Sequence, residues 1–478
     1  FSCCGEKFLD KAQGKWYLPQ LLTQFGPRPR PRGRGLTRAR GFLAWSIRLR
    51  RRKGIVSRAS SARGLLPTAG ILGSRQPLRI RAVSLYPILT PRVSGDSSQH
   101  VLIKLDAEDG ITGVGEYADV GDLPLTMPDL EDLQASLSNV LCGQNAMELS
   151  RLDHLLGMLF TGRGDGGIYT GSLRAGVEMA LHDIVGKALG VPVYVLLGGP
   201  VRTKIKVCFP LFRNLNEEHF EFNLGLVRGL LREGFDVFRV YIGGAPEYDD
   251  LFLAALRKQF GDRITMQAFD LSNHLHPVDA LRLINRLRRH YEPQYVESVA
   301  PLHDVRGMAE VRAKIDIPVS EHVGDARHAI DLWQARAVDI INVANSAHGG
   351  MRESLRVFAI AEALGLRTIL STTQETSLGT AAEAHVGAAV VNLHYPSVAI
   401  GPKLYTADPA RRPIQYENGY MLVPDGPGLG IEIDWEKVER LRHPLGWRDF
   451  EIDHSVPDVH DRPWKVNLAT GLKGMRKK

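Results

Sequence analysis

From Thr203 onward short apolar runs alternate with amphipathic stretches, and this rhythm constrains the fold more than any other feature. The runs KIKVCFPL, VFRVYIG, ITMQAFD, YVES, IPVSEH, DIINVAN, TILSTT and VAIG all have strand length, and helices such as DALRLINRLRRHY and MRESLRVFAIAEALG fall between them. Alternation at this frequency predicts a parallel sheet, and the number of repeats predicts a closed (β/α) barrel. Upstream, IRAVSLYPILTPR and QHVLIKLDAEDGITGVGEY have strand alternation with a hairpin turn at EDG. Helical spacing follows from Pro128 to Phe160, then a glycine-rich patch and the long helical stretch SLRAGVEMALHDIVGKALG. The expected organisation is an α+β capping domain over 79–200, a barrel over 201–405, a return to the cap over 406–445 and a weakly structured tail over 446–478.

Charge is divided unevenly along the 478 residues. Up to Arg79 there are 18 Lys/Arg against only Glu6 and Asp10, a balance of +16, so −9 of the net +7 belongs to the remainder. The basic character is therefore local and gives the main body no reason to bind nucleic acid. Residues 1–78 are compatible with an organelle-type targeting peptide, a basic arm, or an appendage foreign to the folded protein; the last, disordered or non-native, is the expectation. GFLAWSI is too short to cross a membrane. The four cysteines, Cys3, Cys4, Cys142 and Cys208, have no CxxC spacing, which argues against a structural zinc site or disulfide framework and for a reducing, cytoplasmic setting.

In such a barrel, chemistry gathers at the C-terminal ends of the strands. Asp270 ends ITMQAFD, Glu297 ends YVE, and Glu321 ends IPVSE, followed directly by His322. Three carboxylates delivered by consecutive strands predict a shared hard cation, Mg²⁺, with His322 as an alternative third ligand to Glu321. One strand earlier, Arg239 and Tyr241 lie at i and i+2 and so share a face. Tyr241 is expected to act as a base, with the adjacent Arg239 cation lowering its pKa. TGRGDGG lacks the preceding strand and closing GK[ST] of a phosphate loop and is expected to be a lid.

These residues resemble the enolase superfamily, in its mandelate racemase and muconate lactonising branch. The resemblance spans about Arg79 to Arg442 and rests on AGVEMALHDIVGKALGVPVYVLLGG, HGGMRESLRVFAIAEALGL and DGPGLGIEID. It implies a modified (β/α)₇β TIM barrel under an N-terminal α+β cap completed by the C-terminal segment, with Mg²⁺ on Asp270, Glu297 and Glu321. The departures narrow it. Arg239-Val240-Tyr241 stands where many members carry Lys-x-Lys, and Ala344 or Asn345 stands where racemases carry Asp and cycloisomerases Lys. The seventh strand gives ILSTTQE, without the racemase His. The Arg-x-Tyr pair resembles a galactarate-type subgroup of acid-sugar dehydratases.

The expectation is therefore a lyase, a Mg²⁺-dependent hydro-lyase acting on a small carboxylate sugar substrate and assembling as a homo-oligomer. Tyr241 and Arg239 would be catalytic, with Tyr169 of the cap, or His322, as general acid. Glu375 and Arg213 would bind substrate, Arg213 meeting a second carboxylate. The alternatives are a one-base epimerase or cycloisomerase on the same scaffold, or a non-catalytic sugar-acid-binding relative.

Overall fold

Alternation in IRAVSLYPILTP buries Val83 and Leu85 from one face of a strand, and the next two runs repeat the pattern. The computed structural model describes residues 77–93, 97–118, 129–160, 167–372, 374–442, 450–452 and 475–477. All but the last two residues of the basic 1–78 segment, the TGRGDG part of the expected lid, and most of the 446–478 tail thus lie outside the described residues.

Strands β1 (Ile80–Pro91), β2 (Ser97–Ala107) and β3 (Thr112–Tyr117) form an antiparallel meander. The turn between β2 and β3 places Gly110 at φ +86°, which the acidic-Gly sequence supplies without strain. Helix α1 (Leu130–Leu141) starts at Asp129, whose carboxylate accepts from the Glu131 and Asp132 amides. Helix α2 (Leu149–Leu159) and the long α3 (Gly167–Leu189) follow, then the single turn α4 (Val193–Leu196). Every residue of α3 from 175 to 186 is buried, because the helix packs on the meander and on the body behind it. Gly115 allows that packing: a Cβ there would lie 1.8 Å from the Gly176 carbonyl oxygen.

KIKVCFPL, expected as one strand, divides into β4 (Lys204–Lys206) and β5 (Cys208–Leu211). Only β5 enters the barrel. Its successors are α5 (Glu217–Arg232), β6 (Val237–Tyr241), α6 (Pro246–Phe260), β7 (Thr265–Asp270), α7 (Pro277–Leu287) and β8 (Tyr295–Glu297). Then come α8 (Val305–Lys314), β9 (Val319–His322), α9 (Ala326–Gln334), β10 (Ile340–Val343), α10 (Asn345–His348), α11 (Met351–Ala363), β11 (Arg367–Leu370) and α12 (Ser377–Ala389). The seven strands lie in sequential order, all parallel. The VAIG segment does not form a regular strand, but it closes the gap between the edges: Cys208 N donates to Ser397 O at 2.8 Å and Val398 N to Leu370 O at 3.0 Å. Cys208, Val237, Ala268, Tyr295, Ile340, Ile369 and Val398 fill the barrel floor.

The chain then returns to the cap. Strands β12 (Tyr416–Glu417) and β13 (Tyr420–Leu422) add antiparallel to β4, and α13 (Trp435–Leu441) sets Trp435 against Tyr86 of β1, ring centroids 4.9 Å apart. β14 (Phe450–Ile452) pairs antiparallel with β15 (Met475–Lys477). No helix among the described residues is long and apolar enough to cross a membrane.

Candidate active site

Register decides which strand-end residues meet. Tyr241 pairs with Asp270 and Asp270 with Glu297, so these three share the inward face of β6, β7 and β8. Glu297 then pairs with Ser320, and His322 with Asn342. Side chains alternate along a strand, so His322 joins the inward face and Glu321 starts on the other. The expectation of three carboxylates pointing together is corrected here: Asp270 and Glu297 stand side by side, while Glu321 is held apart. Its carboxylate accepts from Asn273 Nδ2 at 2.9 Å, Ser298 Oγ at 3.0 Å and the His322 amide at 2.9 Å.

Arg239 lies at the centre, 3 % exposed. It donates through Nη1 to Glu297 Oε1 at 2.5 Å and through Nη2 to the Tyr241 hydroxyl at 2.5 Å, and its Nη2 is 3.5 Å from Asp270 Oδ2. Asn342 Nδ2 donates to the other Glu297 oxygen at 2.9 Å, and His322 Nε2 approaches Oε1 at 3.3 Å. Burial opposes the Glu297 charge, but Arg239, His322 and Asn342 together hold its pKa down at about 2. Asp270 moves the opposite way: burial raises it and the neighbouring Glu297 charge adds to that, against Arg239. Burial also pushes Glu321 up to about 7.

Tyr241 is buried, with its ring stacked on Phe212 at 5.5 Å and 15° and lying near two guanidinium groups, Arg239 at 4.8 Å and Arg213 at 5.6 Å. The expected effect of Arg239 is present in sign but is outweighed. Burial raises the phenol pKa, Asp270 and Glu297 add to it, and the guanidinium only partly opposes them. The hydroxyl is therefore held in its neutral form, oriented by the Arg239 guanidinium.

Glu375, which follows β11, is fully buried; its carboxylate accepts from Ser346 Oγ at 2.8 Å and from the Thr372 hydroxyl. Arg213 stands just beyond β5 on the rim next to Tyr241. The backbone of Tyr169 belongs to the first turn of α3, and its side chain lies outside the described residues. His276 is the N-cap of α7. Asn342, Asn273 and Phe212 were missed. Asn342 had a legible signal, because it lies two residues before Ala344 on the same face of β10; Asn273 reaches Glu321 only through tertiary packing.

Among the described residues no group of three or more His, Cys, Asp or Glu side chains is arranged to hold a metal ion. The donor chemistry nevertheless fits a hard divalent cation. Asp270 and Glu297 are adjacent buried carboxylates, 3 % and 0 % exposed, with a single guanidinium between them. Paired buried anions call for more positive charge than one Arg supplies when it also serves Tyr241.

A capped barrel with acidic strand ends and an Arg–Tyr pair on the second strand defines an enzyme scaffold of the enolase superfamily. Residues 78–198 match the model described as "Mandelate racemase / muconate lactonizing enzyme, N-terminal domain", and residues 225–438 match "Enolase C-terminal domain-like". The chain is 29 % identical to a chloromuconate cycloisomerase of Cupriavidus pinatubonensis, over 73 % of this chain and 93 % of the relative. It is 30 % identical to muconate cycloisomerase 1 of Rhodococcus opacus, over 56 % of this chain and 71 % of that one. The structure of a muconate cycloisomerase from Pseudomonas fluorescens superposes with a TM-score of 0.68 at 26 % identity, covering 77 % of this chain and all of the other. The chain belongs to the mandelate racemase/muconate lactonizing enzyme family, whose members are generally Mg²⁺-dependent.

These relatives correct two expectations. The similar proteins are cycloisomerases, not acid-sugar dehydratases, and their reaction class is isomerase. The lyase assignment, drawn from Arg-x-Tyr alone, is overturned. Two residues on one strand specify how a proton is handled; they do not specify whether a leaving group departs.

Proposed function

We propose that this protein is an isomerase of a small carboxylate substrate that makes or breaks one C–H bond next to the carboxylate, with Tyr241 as its single proton carrier. The observation that supports this most is the Arg239 Nη2–Tyr241 hydroxyl contact at 2.5 Å, made on the inward face level with Asp270 and Glu297.

Ring closure of the cycloisomerase kind suits one proton carrier. A nucleophilic oxygen of the substrate adds to the β-carbon of a C=C bond, the π electrons move to the α-carbon, and Tyr241 delivers its proton there. Solvent restores the phenol proton. Arg239 orients the hydroxyl and stabilises charge as the proton leaves. Phe212 fixes the ring plane by stacking. Two-base racemisation is disfavoured because Ala344 or Asn345 occupies the sixth-strand base position and the seventh strand ends at Leu370, followed by Ser371 and Thr372, without a His.

Asp270 and Glu297 would hold Mg²⁺, with His322 completing the set from the same face or Glu321 from the next. A divalent ion there supplies positive charge that favours electron density on the substrate carboxylate when the α-carbon becomes carbanionic.

The test is incubation with cis,cis-muconate and Mg²⁺ in D₂O, following loss of diene absorbance and product deuteration by NMR. One deuterium on one face of one carbon is expected, and Tyr241→Phe should slow the reaction by at least ~10². Turnover indifferent to that substitution, or deuterium on both faces, would refute the single-carrier reading.

A further inference from the structure

The barrel is closed between β11 and β5 by an irregular segment, and a side chain from the antiparallel meander lies across that seam. Arg92 directly follows β1 and is 3 % exposed. The backbone around it is tied to residues 404–406: Thr406 N donates to Pro91 O at 2.8 Å and Val93 N to Leu404 O at 2.9 Å. Its guanidinium donates through Nη1 to Ser98 Oγ of β2 at 2.8 Å and through Nη2 to Gln374 Oε1 at 2.6 Å. The same group lies over two rings, with Cζ 5.8 Å from the Phe212 centroid and 5.7 Å from that of Tyr405. Gln374 comes after β11 and Phe212 directly after β5, so one arginine touches both edges of the sheet at the end where the site lies.

Each edge residue is placed with unusual care. Gln374 has φ +69°, a left-handed conformation that a long L side chain adopts only when its surroundings impose it. Tyr405 donates its hydroxyl to the Gln374 carbonyl while Arg92 holds the side chain, so the residue is gripped at both ends. On the other edge, Phe212 is only half-buried, and its ring is stacked on that of Tyr241 at 5.5 Å and 15°. Arg92 and Tyr241 therefore supply much of what fixes the Phe212 ring.

We infer that Arg92 is a positioning residue. It holds the Phe212 ring, and through that ring aims Tyr241, so that proton transfer depends on how the β1–β3 meander is seated on the barrel. This rests on the reading of Tyr241 as the proton carrier and deepens it. Arg239 fixes the hydroxyl end of Tyr241; Arg92, acting through Phe212, fixes the face of its ring. A cation over an aromatic ring is a modest attraction, but small displacements of a reacting group slow chemistry steeply.

The experiment is a double-mutant cycle on the full chain, read in two ways. The first is turnover of cis,cis-muconate with Mg²⁺. Arg92→Met and Phe212→Leu should each lower kcat roughly 10-fold with KM held within about 2-fold. The double variant should fall no further than Phe212→Leu alone. Effects that multiply, or a loss confined to KM, overturn the inference. The second readout needs no turnover: the chain is labelled with meta-fluorotyrosine, and the Tyr241 signal in the fluorine NMR spectrum is the one that Tyr241→Phe removes. Arg92→Met should shift or broaden that signal. A purely structural Arg92 would lower the melting temperature and leave the signal in place, which overturns the inference. If Arg92→Met fails to fold, Gln374→Gly carries the test, because glycine accepts φ +69° without strain and the change removes the acceptor that holds Nη2. A displaced Tyr241 signal then supports the inference and an unmoved one overturns it. A displaced signal in a protein that isomerises nothing would remove the isomerase reading alone. Turnover that needs Tyr241 but is indifferent to Arg92 would remove this inference alone.

Discussion

Glu116 offers the sharpest test of how the cap is fastened to the barrel. It lies on β3, is 0 % exposed, and accepts from the Thr376 amide at 2.8 Å, the Thr376 hydroxyl at 2.7 Å and the Gly379 amide at 2.8 Å. Those donors form the N-terminus of α12, where a carboxylate is favoured. His100 Nδ1 approaches the same carboxylate at 2.9 Å. Glu116→Gln keeps the shape but removes the charge and one acceptor oxygen, leaving buried donors facing an amide group. Breaking one partner of a buried charged network costs about 3–5 kcal/mol. At ~2.1 cal/mol/K per residue, a body of this size should melt roughly 4–6 °C lower.

The sign with pH follows from Glu116 itself. Burial alone would raise its pKa, but His100 and Thr376 hold it below the ordinary carboxylate value. A depressed carboxylate stabilises the fold above its unfolded pKa, and that contribution is lost as pH falls through the folded value. Melting curves of wild type and Glu116→Gln should therefore differ fully at pH 7 and converge below about pH 4.5. A melting shift under about 1 °C at pH 7, or a gap that widens in acid, would refute the reasoning.

The other predictions concern the site and the helix–sheet contact. Tyr241→Phe keeps the stack on Phe212 and loses only the hydroxyl, so its melting temperature should fall by no more than about 3 °C while turnover falls at least ~10²-fold; comparable loss of fold and activity would make it a packing residue. Asp270→Asn and Glu297→Gln should each abolish calorimetric Mg²⁺ binding in the absence of substrate, and the weaker of His322→Asn and Glu321→Gln identifies the third ligand; retained affinity in the first pair would dismiss the proposed metal site. Gly115→Ala should lower stability by about 3 kcal/mol or more, because its Cβ would meet the Gly176 carbonyl at 1.8 Å; unchanged denaturant unfolding would show that β3 and α3 are not so tightly apposed.

The barrel was legible because its information is local. Apolar runs of strand length between amphipathic helices specify βα units wherever they occur, and a period of two places Arg239 and Tyr241 on one face without knowledge of any neighbour. Strand ends also mark Asp270 and Glu297 as candidates. What no local pattern contains is register between strands. Pairing of Glu297 with Ser320, one residue before Glu321, puts His322 inward and leaves Glu321 to Asn273 and Ser298. KIKVCFPL reads as one strand yet serves two sheets, because β4 finds its partner in β13, more than 200 residues later.

Electrostatics was the least legible layer, since a pKa depends on everything that packs around the group. The sequence placed a cation beside Tyr241 and so led to an acidic phenol; the folded protein surrounds that phenol with buried carboxylates and apolar walls, and burial outweighs the cation. The same distinction applies to reaction class. Residue types on β6 pointed to a tyrosine as the group that handles a proton. Which bonds change with it depends on what the site admits, and that depends on the positions in space of Phe212 and Arg213, just beyond β5, and of Asn342 on β10, two segments that only folding brings together.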